Sequence, residues 1–283
     1  MPDGQDVVRS HAVLLQSIDD TPAPPGSLAF WWLGQQTFIV KAGGVRLFFD
    51  PYLAENPRRN KPPLLTPEEC SEFDLVFCSH DHSDHLDPTA IGGIARASRA
   101  LFVAPRALGD RMIALGVPPE RFVGLNGGES IDLLGANVAA IPAAHEFLDL
   151  TSEGLNPYLS YIVRAGGVGL YHAGDTVWWE GMQRELATHA PLDVAFVPIN
   201  GRDGERYRRG CIGNLSFAEA CDLVGPLPVG LAVPSHYDMF DGNREDPARF
   251  VDYLEAKYPA VRSWVGPAGT AVVVRAGGEF TAL

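Results

Sequence analysis

His80-Asp81-His82-Ser83-Asp84-His85-Leu86-Asp87-Pro88 is the stretch from which the rest of the chain can be read. Four of these nine residues, His80, His82, Asp84 and His85, can donate a lone pair to a divalent metal. The run before them, Asp74-Leu75-Val76-Phe77-Cys78-Ser79, is apolar and has the length of a buried strand. Behind them, Asp87 suits an N-cap, Pro88 suits the first helical position, and Thr89 to Arg96 carries helical spacing. The ligand candidates therefore stand where a strand ends and a helix begins, at the mouth of a sheet. Sites in α/β proteins commonly lie there.

The spacing has a physical reason. Residues two apart in an extended turn can point the same way, so His80 and His82 can grip one ion. Asp84 and His85, a turn later, can reach a second. Imidazole and carboxylate without thiolate suit zinc, iron or manganese. The plain alternative is a solvated turn that happens to be rich in histidine. With only eight histidines in the chain, His-x-His-x-Asp-His is improbable by chance.

The chain has 283 residues, 46% of them hydrophobic, and a mean hydropathy near zero, which describes a globular protein with ample material for a core. The length accommodates one large domain or two small ones, and no linker separates independent units, so residues 1–283 are read as a single domain. A formal charge of −13 argues against a general nucleic-acid surface, although a local basic patch can still bind an anion. Met1 to Asp6 is polar and acidic, unlike a secretory signal, and no apolar run approaches membrane-spanning length. Cys70, Cys78, Cys211 and Cys221 form no Cys-x-x-Cys pattern and read as small buried hydrophobes in a reducing cytosol. A cytoplasmic protein is expected, without nucleic-acid or membrane partners and compatible with a homo-oligomer.

In chain order, Val7 to Ile18 reads as an amphipathic helix. Leu28 to Leu33, Thr37 to Lys41 and Val45 to Phe49 read as a meander of strands turned by Gly34 and Ala42-Gly43-Gly44. Asn56 to Pro67, rich in Pro, Arg and Lys, is a loop near the site. A helix (Thr89 to Ala97), a strand (Leu101 to Ala104) and a helix (Leu108 to Leu115) follow the metal motif. Strands come next at Arg121 to Leu125, Ser130 to Leu134 and Asn137 to Ala144, the last delivering His145. Tyr158 to Arg164 and Val168 to His172 form a hairpin that delivers Asp175. After a helix and the strand Val194 to Pro198 come a helix (Phe217 to Leu223) and the strand Gly230 to Pro234, which delivers His236. A helix (Pro247 to Lys257) and strands at Ser263 to Val265 and Thr270 to Arg275 finish the chain. Two β-rich halves with helices outside predict an α/β fold, a sandwich of two mixed sheets covered by helices.

His145, Asp175 and His236 each fall just beyond a predicted strand. A lone histidine in such a place is usually structural; three such groups beside the cluster at 80–85 are not. Here the sequence resembles the metallo-β-lactamase fold superfamily, whose ordered signature is His-x-His-x-Asp-His, then His, Asp and His. His80, His82, Asp84, His85, His145, Asp175 and His236 meet that order. The resemblance implies an αββα four-layer sandwich and two divalent metal ions, zinc or manganese. It places His80, His82 and His145 on one ion, Asp84, His85 and His236 on the other, and Asp175 between them. It also implies a hydroxide carried between the metals, with Asp84 taking the proton released by its attack. Phe30 to Gln35, Asp50-Pro51, Ser79 to Asp87, Leu170 to Asp175 and Pro234 to His236 look like the group around ascorbate-6-phosphate lactonase. That enzyme is expected to lack a histidine where His145 stands.

Asn200 to Gly210 follows a strand and holds four arginines within eight residues, the most basic stretch of an acidic chain. Guanidinium forks suit phosphate and carboxylate oxygens, so Asn200 and Arg202 are read as substrate contacts. Tyr237, next to a ligand, is read as a donor to an oxyanion. Trp31, Trp32, Trp178 and Trp179 are read as core or lid residues. His172 is read as buried behind the ligands. The expected activity is a metal-dependent hydrolase opening a small, anionic, phosphorylated sugar lactone. A metal-dependent phosphodiesterase resembling N-acyl-phosphatidylethanolamine phospholipase D is the alternative. A non-enzymatic metal-binding scaffold is the third reading, against which an intact set of clustered polar groups speaks.

Overall fold

A computed structural model of the chain describes residues 4–283, with side chains described from His11 onward. Residues 1–3 of the polar start lie outside the described residues. The chain opens with helix α1 (Gly4–Asp20) and strands β1 (Ser27–Trp32), β2 (Phe38–Ala42), β3 (Val45–Phe49) and β4 (Leu75–Phe77). Helix α2 (Pro88–Ala97), β5 (Leu101–Pro105), α3 (Gly109–Ala114) and β6 (Phe122–Leu125) complete the first half. The second half holds β7 (Ser130–Leu133), β8 (Ala136–Pro142), β9 (Leu159–Ala165), β10 (Val168–His172), α4 (Met182–Thr188) and β11 (Leu192–Pro198). Then come α5 (Gly204–Arg208), α6 (Phe217–Val224), β12 (Val229–Ser235), α7 (Pro247–Lys257), β13 (Arg262–Ser263), β14 (Ala271–Arg275) and β15 (Phe280–Ala282).

Strand alternation builds the layers. In β1 to β4, Leu28, Phe30, Trp32, Phe38, Val40, Leu47, Phe49, Leu75 and Phe77 belong to the core between the sheets. Their neighbours Ala29, Trp31, Ile39, Phe48 and Val76 face the opposite way, onto Leu14 and Ile18 of α1, Ile91 and Ile94 of α2 and Met112 of α3. Both faces are apolar, so these strands read as continuous hydrophobic runs. An eight-stranded sheet in the order β15-β14-β1-β2-β3-β4-β5-β6 packs on a seven-stranded one, β13-β12-β11-β10-β9-β8-β7, and both are mixed. Leu223 of α6 and Phe250 and Leu254 of α7 cover the second sheet. The result is the αββα sandwich. Phe196 of β11 joins the sheets, stacking on Phe38 at 4.0 Å and meeting Phe30 edge-on at 5.2 Å. Such pairs add roughly 0.5–1.5 kcal/mol each beyond their burial.

Asp87 caps α2 as its position predicts, accepting from the Thr89 N–H at 2.8 Å. Its second oxygen accepts from the N–H groups of Leu53 and Ala54, at 2.8 and 2.6 Å, and so pins the loop that leads toward Arg58. Three elements differ from the sequence reading. The loop read at 200–210 contains α5, started by the Asp203 carboxylate, which accepts from the Glu205 and Arg206 N–H groups. The strand read at Ser263 to Val265 is the two-residue β13. The edge strand β15 was not readable, because its half-exposed residues carry no apolar alternation. Among the described residues, no helix is long and apolar enough to cross a membrane.

Candidate metal centre

The seven predicted ligands converge at one edge of the sandwich. His80, His82, Asp84 and His85 occupy the turn between β4 and α2, and His145, Asp175 and His236 follow β8, β10 and β12. Those three strands run in the same direction, so their C-terminal ends share one rim. Ligand atoms of His80, His82, His145 and Asp175 all lie within 4.8 Å of one another, as do those of Asp84, His85 and His236. The two oxygens of Asp175 face different groups. Oδ2 lies 3.9 Å from His145 Nε2, and Oδ1 lies 3.4 Å from His85 Nε2 and 3.3 Å from His236 Nε2.

The donor set fits a divalent cation in each group. Donors about 2.0–2.2 Å from a shared tetrahedral centre stand roughly 3.3 Å apart. The separation of His145 Nε2 from His82 Nδ1 is 3.2 Å, and Asp84 Oδ2 lies 3.8 Å from both His85 Nε2 and His236 Nε2. His80 Nε2, His85 Nε2 and Asp175 Oδ1 are buried without a hydrogen-bond partner, a costly state that coordination would relieve. None of these donors is a thiolate, which fits zinc, manganese or iron.

Groups behind the ligands set their orientation. The Ser79 hydroxyl donates to Asp50 Oδ2 at 2.6 Å, so it accepts from His80 Nδ1, 3.0 Å away. His85 Nδ1 donates to the same Asp50 oxygen at 2.7 Å. Each contact places the proton on Nδ1 and leaves the Nε2 lone pair for a metal. Gln35 donates to Asp84 Oδ2 at 2.7 Å, and its carbonyl accepts from the His236 N–H at 3.1 Å. Gln36 donates to the Gly174 carbonyl beside Asp175 and accepts from Ser235 beside His236. His172 is buried as expected and lies 2.9 Å from the Gln36 carbonyl. Among the described residues, five non-glycine residues have positive φ, and four of them adjoin the centre: Gln35 (48°), Asp50 (42°), Glu146 (83°) and His236 (60°). Backbone strain of about 1–3 kcal/mol per residue is characteristic of sites where the surroundings over-determine a geometry.

The electrostatics divide along the same line. Burial disfavours protonated His85 and His236, but Asp175 and Asp84 outweigh it, and both are held above the ordinary histidine range. Burial also opposes the charged forms of Asp175 and Asp84, yet the imidazoles beside them hold both carboxyls below the usual range. In the other group, burial and the surrounding histidines push His80 far down and His145 down to about 4. His80 and His145 are thus held as neutral donors. Asp84 and Asp175, beside His85 and His236, draw positive charge, which a cation or bound protons can supply.

A cleft of about 390 Å³ opens over the ligands, with Arg58, Asn200, Cys211 and Asn243 in its walls. Asn200 is fully buried, donating to Asn243 Oδ1 at 2.9 Å and accepting from Asn214 at 3.1 Å, so it builds the wall. Two expectations are corrected. Arg202 lies outside the cleft lining, because Glu219 of α6 takes its guanidinium in two bonds of 2.7 and 2.8 Å and the Asn214 carbonyl takes a third. Tyr237 also lies outside it, its ring stacked on Trp32 with centroids 5.0 Å apart. Trp31 and Trp32 are core residues, and Trp178 lines a separate hollow beside Arg202. The sequence reading missed Gln35, Asp50, Ser79 and Arg58 as members of the site. The blocks Phe30 to Gln35, Asp50-Pro51 and Ser79 to Asp87, quoted for their resemblance, were the available signal for the first three, and the basic loop at 56–67 was the signal for Arg58.

Comparison with known proteins follows the geometry. Residues 45–237 match the family described as a beta-lactamase superfamily domain. A UPF0173 metal-dependent hydrolase of Opitutus terrae is 35% identical over 223 residues, covering 77% of this chain and 88% of that protein. One from Pyrococcus horikoshii is 32% identical over 219 residues, with the same shares covered. Among solved structures, Igni18, a metallo hydrolase from the hyperthermophilic archaeon Ignicoccus hospitalis, superposes with a TM-score of 0.70 at 25% identity. That match covers 87% of this chain and 98% of Igni18.

Proposed function

This chain belongs to the metallo-β-lactamase superfamily, and on that premise we propose that it is a metal-dependent hydrolase that opens the lactone ring of a small phosphorylated sugar acid. The observation that carries the reading is the pair of donor groups sharing Asp175 on the floor of an open cleft. His80, His82 and His145 would hold one zinc or manganese ion, and Asp84, His85 and His236 the other. Bound cations supply a water activated near neutral pH and an electrophile for the substrate oxygen.

The chain's own residues do the rest. Water adds to the lactone carbonyl, the ring C–O bond breaks, and one proton passes from the water to the departing alkoxide. Asp84 is placed to carry it: Gln35 holds Oδ2, and about a fifth of the side chain is open to the cleft. Asn200, Asn214 and Asn243 brace one wall, and Cys211 stands in the cleft lining. The four cysteines are free thiols, which suits the reducing cytosol expected for this protein. The same paired groups are suited to attack at phosphorus, which keeps the phosphodiesterase reading as the second one.

A panel of lactones and phosphodiesters, assayed on protein reconstituted with manganese or zinc, tests both. Lactone opening that needs metal supports the first reading, and turnover confined to phosphodiesters replaces it with the second. In the same assay His82→Ala, at the exposed edge of the centre, should lose most bound metal while keeping its fold. Unchanged metal content by elemental analysis would remove the ligand assignment. Asp84→Asn keeps an oxygen but loses basicity, so kcat should fall by more than KM rises. A change in KM alone would make Asp84 a binding group.

A further inference from the structure

We propose that the hollow walled by Arg58, Arg59, Arg206 and Arg209 binds a terminal phosphate of the substrate, remote from the bond that is cut. The inference rests on the hydrolase reading of the metal centre and assigns the other end of its substrate. The hollow has a volume of about 490 Å³ and shares Arg58, Cys211 and Asn243 with the metal cleft, so one small molecule can occupy both.

The charges in it are unequal in availability. Arg206 is committed: it pairs with Asp203 at 3.2 Å and donates to the carbonyls of Asn200, Gly201 and Arg244. Arg209 pairs only with Glu205, and both side chains are well exposed, a contact that a buried anion can outcompete. Arg59 lies against the Tyr52 ring at 4.2 Å and donates to the carbonyls of Tyr52, Ala54 and Lys61, with no carboxylate in ion-pair range among the described residues. Arg58 is exposed and, among the described residues, makes neither a side-chain hydrogen bond nor an ion pair. Asp241 on the rim is taken up by Arg244 at 2.8 Å. Two guanidiniums without a direct carboxylate partner among the described residues therefore line one small hollow in a chain of formal charge −13. That local excess suits a dianion, and the forked donors suit its oxygens. Arg202, beyond Ile212, is neutralised by Glu219 and offers no such charge.

Equilibrium binding separates this inference from the hydrolase reading, because it needs no turnover. Metal-loaded protein is titrated calorimetrically with 6-phosphogluconate, with glucarate, which carries a carboxylate in place of the phosphate, and with gluconate, which carries neither. Wild type should bind 6-phosphogluconate about ten- to a hundredfold more tightly than gluconate, as a charge-assisted contact would give. Arg58→Ala should remove most of that preference, costing 6-phosphogluconate far more than gluconate, and Arg209→Ala, outside the metal cleft, should remove a smaller part while leaving gluconate affinity unchanged. Both side chains are exposed, and a thermal unfolding curve matching wild type confirms that the variants fold. Equal affinity for 6-phosphogluconate and gluconate, or equal losses on both in Arg58→Ala, would overturn the proposal. Glucarate binding as tightly as 6-phosphogluconate would overturn the phosphate assignment. A phosphate preference in a protein that opens no lactone would leave the hollow standing and remove the activity.

Discussion

The Asp50 carboxylate accepts three hydrogen bonds, from the Ser79 N–H, the Ser79 hydroxyl and His85 Nδ1, while its own backbone sits at φ 42°. It touches neither the cleft nor any other ligand, yet it sets the tautomers of His80 and His85. Asp50→Asn keeps the volume but trades an acceptor for a donor, which opposes the Nδ1 proton of His85. Metal affinity should fall about 10- to 100-fold, as losses of such supporting groups typically do. A competition assay against a calibrated chelator measures it, and an affinity equal to wild type would mean that His85 is oriented by other contacts. Asp50-Pro51 after a strand marks the position in the sequence but not what the carboxylate holds. Its role comes from Ser79, twenty-nine positions away, folding over it.

At the scale of elements, the hairpin between β2 and β3 meets the hairpin between β9 and β10 backbone to backbone. A Cβ added at Gly43 (φ +60°) would stand 2.6 Å from the Gly166 nitrogen, which cannot swing away as a side-chain tip could. Gly43→Ala should therefore cost about 1–3 kcal/mol of stability. The hairpin carries no metal ligand, so metal content should be unchanged. Urea unfolding checks the first expectation and elemental analysis the second; an undiminished midpoint would mean that the hairpins part at no cost. This turn was legible as a turn from Ala42-Gly43-Gly44, but not as a contact between sheets. Helix α5 was illegible for a related reason: its five residues are held by the Asp203 cap and by ion pairs, not by apolar periodicity.

For the molecule as a whole, metal binding and proton binding compete. His85 and His236 are held above the ordinary histidine range, so a metal must displace protons from them, and its affinity falls as pH falls. The signs for the two forms are opposite. In metal-free protein the raised histidines contribute stability that is fully present below their unfolded value and lost as pH rises through the folded one. In metal-loaded protein those nitrogens carry no protons, the unfolded chain binds more, and stability rises with pH. The stabilisation conferred by metal should therefore shrink between about pH 8 and about pH 5. Melting curves of loaded and chelator-treated protein across that range measure it. A difference in Tm that does not change with pH would mean that these histidines are not ligands.

Strand and helix periods, the N-cap at Asp87 and the seven-residue ligand order were all determined by the sequence itself. They depend on neighbours: alternation along one strand, a cap two residues from its donor, imidazoles two apart in one turn. What only the tertiary structure decided is how those pieces face one another. Asp175 faces both donor groups because β10 ends between β8 and β12, two strands from each, on one rim. Gln35 reaches Asp84 and His236 across 49 and 201 positions of chain. Arg202 and Arg58 look alike in sequence, and their fates differ because Glu219 of α6 lands on one guanidinium while, among the described residues, no carboxylate lands on the other. Ion pairs and hydrogen bonds act over a few ångströms of space, and a linear sequence does not carry that distance until the chain has folded.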